Sequence, residues 1–134
     1  MTVDWKALVA QAQPTTKLVR LCLRGDLVQE LSTAEAAGDV ADELRQQVAD
    51  ATVTFTIRGL NRQAYRALEA KHPAPDGAAG WDVASFPEAL VRACITDPVI
   101  DAGDPLFDVL TPGQVEKLFE AAFLACNEVD DLPL

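Results

Sequence analysis

Thr52-Val-Thr-Phe-Thr-Ile-Arg-Gly-Leu-Asn-Arg-Gln-Ala-Tyr-Arg-Ala-Leu-Glu-Ala-Lys-His-Pro-Ala-Pro75 is where the chain changes character. Val53, Phe55 and Ile57 alternate with Thr52, Thr54, Thr56 and Arg58, the period of two that puts one set of side chains on each face of a sheet. All but Arg58 are β-branched or aromatic, which suits a pleated surface. Gly59 ends the predicted strand, and Asn61 is a good N-cap for a helix that buries Ala64, Tyr65 and Leu68 and turns Arg62, Arg66 and Glu69 to water. Pro73 stops that helix, because the residue before a proline, here His72, is pushed out of the helical region.

Upstream, Lys17, Val19, Leu21 and Leu23 alternate with Leu18, Arg20, Cys22 and Arg24, so residues 16–24 read as a strand well covered on one face and partly on the other. Residues 26–51 between the strands carry two apolar sets, Leu27, Leu31 and Ala34, then Val40, Leu44, Val48 and Ala51. The break falls near Gly38, with Asp39 as a candidate cap for the second helix. An unbroken helix would run ~37 Å against ~23 Å for a seven-residue strand. Two helices folding back return the chain to its start, which favours antiparallel pairing of 16–24 with 52–58 below a projecting hairpin; a parallel crossover is the rival. The acids of the hairpin, among them Glu30, Glu35, Asp42 and Asp50, read as solvated faces.

Before the first strand, Asp4 caps a short helix over residues 5–13, with Trp5, Leu8 and Val9 on one side and Pro14 as its stop. After the second strand, residues 72–81 form a loop rich in Pro and Gly. Ser85 with Glu88 has the spacing of a capping box, Pro87 sits in the first turn, and Asp97-Pro98 is the expected stop of that helix. Thr111 caps a last helix begun by Pro112, with Val115, Leu118, Phe119, Ala122 and Cys126 on one face and Ala121, Leu124 and Ala125 opposite. A helix apolar over most of its circumference lies at the centre of a core or touches something else. The fold class is therefore α+β and predominantly helical. A small two-stranded sheet carries a helical hairpin insertion and is followed by a C-terminal bundle of short helices, all within one domain spanning residues 1–134.

The net charge of -10 opposes binding to nucleic acid or anionic membranes. Met-Thr-Val-Asp-Trp-Lys lacks the pattern of a signal peptide, and no apolar run nears the ~20 residues that span a bilayer, so a soluble intracellular protein is expected. Cys22, Cys94 and Cys126 read as small buried hydrophobes in a reducing compartment. His72 is the one histidine and none of the cysteines has a catalytic signature beside it; a histidine at a helix end more often bonds a terminal carbonyl. The cysteines are too scattered for a zinc site. Asp130-Asp131 reads as a solvated pair, and Gly77, Gly80 and Gly103 match no phosphate loop. No enzyme, metal or cofactor is expected. Trp5 and Trp81 are packing residues or partner contacts.

Several short motifs follow one another in fixed order. They are Arg24-Gly-Asp-Leu27 after the first strand, Val53-Thr-Phe-Thr-Ile-Arg-Gly-Leu60, Lys71-His-Pro73, Trp81 with Phe86-Pro-Glu-Ala-Leu90, Asp97-Pro98, Asn127, Val129-Asp130 and Pro133. This order, over nearly the whole chain, resembles the tail assembly chaperones of long-tailed bacteriophages, in particular those infecting actinobacteria. The resemblance implies a non-enzymatic protein, made in the cytoplasm of the infected host and missing from the mature virion, that binds the aggregation-prone tape-measure protein and recruits tail-tube protein. Self-association is left open. In that family a longer product often arises by ribosomal frameshifting, for which Pro133-Leu134 is a candidate junction. A holding surface needs spare apolar residues in an acidic body, and Trp81, Phe107, Leu110, Phe123 and Leu124 are the candidates. All four on and beside the last helix have core packing as an equal alternative. Two rival functions stay open: a small acidic structural or adaptor protein kept in a phage particle, and an acidic mimic of DNA.

Overall fold

The computed structural model describes residues 3–129 and Leu132. The pair Asp130-Asp131 and the junction Pro133-Leu134 lie outside the described residues. Strand β2 (Thr52–Arg58) is as its alternation predicts: Phe55 and Ile57 are buried, and Thr54 and Arg58 face water. Strand β1 (Thr16–Cys22) pairs with it antiparallel along its whole length, from Thr16 opposite Arg58 to Cys22 opposite Thr52, which excludes the parallel crossover. β1 stops two residues short of the expected Arg24, because Arg24 turns to grip the Asp26 carboxylate at 2.7 Å and Gly25 already begins a helix.

The sheet has three strands, not two. Among the described residues the order is β1-β2-β3, with β3 (Ile95–Asp97) antiparallel to β2. The helix expected to run to Asp97 ends at Cys94. Pro98 favours extended backbone at Asp97, and Ile95 is β-branched and buries beside Ile57. Three residues are too few to carry a readable period.

Between β1 and β2, helices α2 (Gly25–Ala36) and α3 (Asp42–Asp50) form the expected hairpin. Gly38 makes the break with a φ of 78°, a conformation that glycine adopts without strain. Asp39 does not cap α3; Ala41 holds that place without a side-chain bond, and its methyl is buried at the bend. Arg45 closes the bend by pairing with Glu35 at 3.2 Å and Asp42 at 3.1 Å. No described residue of the hairpin belongs to the main core. The hairpin joins the sheet through backbone: Leu23 donates to the Ala51 carbonyl, and the Thr52 hydroxyl to that of Val48.

Beyond β2, Asn61 caps α4 (Arg62–Lys71) by accepting from the Ala64 N–H, as expected. After a 3₁₀ turn at Pro75–Gly77 come α5 (Phe86–Cys94), α6 (Leu106–Val109) and α7 (Pro112–Asn127). α5 and α7 pack on each other, and both cover the inner face of the sheet with Phe86, Leu90, Val91, Cys94, Leu118 and Ala122. α7 is thus central, touching β1, β2 and α5, and this accounts for most of its apolar circumference. Thr111 caps α7 through a reciprocal pair of bonds with Gln114, whose amide also donates to the Cys22 carbonyl at 3.2 Å. Removing that cap with Thr111→Ala is expected to lower stability by about 1 kcal/mol, while Thr111→Ser should lose little. Urea denaturation of the two variants measures the difference.

Candidate functional site

Phe86 is the hub around which the C-terminal aromatic residues gather. Trp81 stacks on it with ring centroids 4.6 Å apart, and Tyr65, His72 and Phe119 meet it edge-on at 5.8, 6.4 and 6.4 Å. Phe119 links this cluster to Phe123, 5.9 Å further on, so Trp81, Phe119 and Phe123 form one row running from the core to solvent. Phe123 is its exposed end, at 36%. Trp81 is only half-buried, held where the loop closes by a backbone bridge to Pro73.

The other predicted contact residues are dispersed. Phe107 is half-buried beneath the Arg92 guanidinium, 4.3 Å from its ring centre, a cation–π contact that partly occupies it. Leu124 is half-buried on α7. Leu110 is buried at 7% exposure and belongs to the core, which corrects its assignment to an open surface. It ends α6 and turns inward so that Thr111 can begin the next helix.

The largest departure lies at the other end of the chain. α1 (Trp5–Gln11) forms under its Asp4 cap, two residues shorter than expected, yet buries none of its side chains. Trp5 is 73% exposed and Val9 70%, with Leu8 at half. The three do share a side, as their spacing predicts; Trp5 and Leu8 are open to water, and Val9 borders the groove at the end of the helix. A seven-residue helix has little intrinsic stability in water, and with Trp5, Leu8 and Val9 largely exposed it gains little from packing. The hydrophobicity of these residues is plain in the sequence; their exposure is not.

Where α1 ends, Val9, Ala12 and Pro14 form one wall of a groove of about 810 Å³. Its other wall is made by Gly59, Leu60, Ala64, Ala125 and Cys126, and Arg58 and Glu128 stand at its polar rim. Cys126 accepts a hydrogen bond from the Leu60 N–H at 3.2 Å and lies 3.9 Å, sulfur to sulfur, from the buried Cys94. The Cys126 thiol is drawn below its usual range, chiefly by its contact with Cys94 and also by the Leu60 N–H, with burial opposing. Cys94, through the same contact and through its burial, is pushed far up.

His72 does not bond a terminal carbonyl with its ring as expected. Its Nδ1 meets the Ser85 hydroxyl at 2.9 Å, which takes Ser85 out of the predicted capping box. Among the described residues no carboxylate lies within hydrogen-bond distance of the imidazole, so this pair lacks the group that orients the base of a hydrolytic triad. Here it joins the end of α4 to the start of α5. Among the described residues, no group of three or more His, Cys, Asp or Glu is placed to hold a metal ion. No helix among them is long and apolar enough to cross a membrane. Neither family models, curated proteins nor solved structures match the chain.

Proposed function

We propose that the chain is a tail assembly chaperone of long-tailed bacteriophages, which holds the tape-measure protein in solution during assembly and brings tail-tube protein to it. The observation that carries this reading is α1, whose Trp5, Leu8 and Val9 stand open beside the groove at its end. A long client prone to self-association presents apolar segments, and a short amphipathic helix next to a groove suits such a segment as a two-sided grip. The Phe123 end of the aromatic row adds a second apolar contact. The net charge of -10 keeps the loaded complex dissolved and draws in basic stretches of client. The ordered motifs from Arg24-Gly-Asp-Leu27 to Asn127 support the choice of client.

Co-expression with the tape-measure protein tests the reading. The soluble fraction of client should rise with the intact chain and fall back with the double variant Trp5→Ala, Val9→Ala. Because neither side chain is buried, that variant should match the parent within about 0.5 kcal/mol of stability. Loss of two exposed anchors should weaken client binding by roughly tenfold or more. If the intact chain leaves client solubility unchanged, the proposal is wrong. Recovery of the chain in stoichiometric amounts from purified virions would replace it with the reading of a particle component.

A further inference from the structure

The groove beside α1 contains one group that a holding surface does not need. Cys126, next to last in α7, lines both this groove and a recess of about 320 Å³ formed with Leu60, Tyr65 and Asn127. Directly behind it, at 3.9 Å, stands Cys94, the last residue of α5 and fully buried. An accessible thiol backed by a hidden one is the arrangement of an attacking and a resolving cysteine. The surroundings favour the attacking anion. The Leu60 N–H points at the Cys126 sulfur, and the Cys94 thiol stands in contact with it.

We propose that Cys126 and Cys94 are a redox-modification site, at which a hydroperoxide oxidises Cys126 and Cys94 then closes an intrachain disulfide between α7 and α5. In the first step the Cys126 thiolate attacks one peroxide oxygen; an S–O bond forms, the O–O bond breaks, and hydroxide or alkoxide leaves and takes a proton from water. In the second, the Cys94 sulfur attacks the sulfenic sulfur. An S–S bond forms, the S–O bond breaks, and the departing hydroxide leaves with the Cys94 proton as water. Two electrons pass from the sulfurs to the peroxide. A disulfide is about 2.05 Å long, so the sulfurs must approach by a further ~1.9 Å. Both residues lie at helix ends, and rotation of the two side chains about χ1 is the movement that brings the sulfurs together.

Cys22 is the internal control. Its thiol donates to the carbonyls of Arg24 and Val48 at the base of the hairpin, and among the described residues no second thiol lies within bonding distance of it. The reduced full-length chain, treated with a small excess of hydrogen peroxide and then with iodoacetamide, should lose two of its three thiols. Its peptide map should show 94 joined to 126, with Cys22 alkylated. Cys94→Ala should stop at a Cys126 sulfenic acid that dimedone traps, and Cys126→Ser should leave Cys94 reduced. Without peroxide, alkylation of Cys126 should set in at a lower pH than that of an ordinary thiol. Three unreacted thiols in the parent chain would overturn the proposal. So would an unlinked Cys126 sulfinic acid, or oxidation that ends only in dimers joined through Cys22. None of these readouts depends on a client, so the site and the chaperone reading stand or fall separately.

Discussion

Gly59→Ala should lower the stability of the fold by roughly 3 kcal/mol or more, at the upper end of what overpacking costs. Gly59 is buried where β2 leaves the sheet, and a Cβ built on it collides with the Ala125 carbonyl and approaches the Cys126 backbone N. Both obstacles are main chain in the last turns of α7, so no side-chain rotation relieves them. α7 would have to move off the sheet, and it is the helix that packs against β1, β2 and α5 together. At about 2.1 cal/mol/K of unfolding entropy per residue, 3 kcal/mol corresponds to a fall of roughly 10 °C in Tm. Gly113→Ala is the control: a Cβ there meets nothing within 4 Å, and the change should be neutral or stabilising by up to about 1 kcal/mol. If the two variants melt together, the close approach of β2 to α7 is not what the geometry indicates. The same substitution should deform the groove, since Gly59, Leu60, Ala125 and Cys126 all line it. Peroxide-driven closure of Cys94 with Cys126 should then slow along with the loss of stability.

Gly59 also marks the limit of what the sequence reveals. Its place at the end of a strand follows from the alternation of Val53, Phe55 and Ile57 just before it. Its contact with Ala125 joins residues 66 apart and leaves no mark on local pattern. The same division runs through the chain. β2, the Asn61 and Thr111 caps and the hairpin break at Gly38 are local devices, written within a few residues, and all are present. β3 is not local: three residues become a strand only because Thr56 and Ile57 lie beside them.

The residues of the candidate site are legible as residues and not as a site. Trp5, Leu8 and Val9 have the spacing of a buried helix side, and the sequence cannot say that they stay largely exposed. The surplus of apolar positions on α7 pointed outward by pattern but is largely used inside, because a helix placed between the sheet and α5 needs more than one apolar side. Cys94 and Cys126 lie 32 residues apart, on helices whose crossing brings their ends together. His72 and Ser85 likewise meet across a loop, and each was read as an end of its own helix.

Phe86→Ala should have a comparable or larger effect, about 3–5 kcal/mol, within the range for emptying a buried aromatic site. Phe86 has no solvent exposure, and its ring contacts Tyr65 on α4, Trp81 and His72 around the loop, and Phe119 on α7. Truncation thus removes both apolar burial and several aromatic pairs, each worth about 0.5–1.5 kcal/mol beyond area alone. The loss is a large part of the 5–15 kcal/mol that holds a typical domain folded, and should lower Tm by roughly 11–18 °C. Phe86→Leu, which keeps most of the volume, should cost well under half as much if filling the site is what matters. The effect should also be visible at the surface. With its stacking partner gone, Trp81 should show a red-shifted fluorescence at temperatures where the variant is still folded; Trp5, already 73% exposed, supplies a constant background. Should Phe86→Ala melt within 2–3 °C of the parent, or roughly 1 kcal/mol, the aromatic cluster is not the keystone of the C-terminal half. The Trp81–Phe119–Phe123 row would then have no rigid base from which to present Phe123 to solvent.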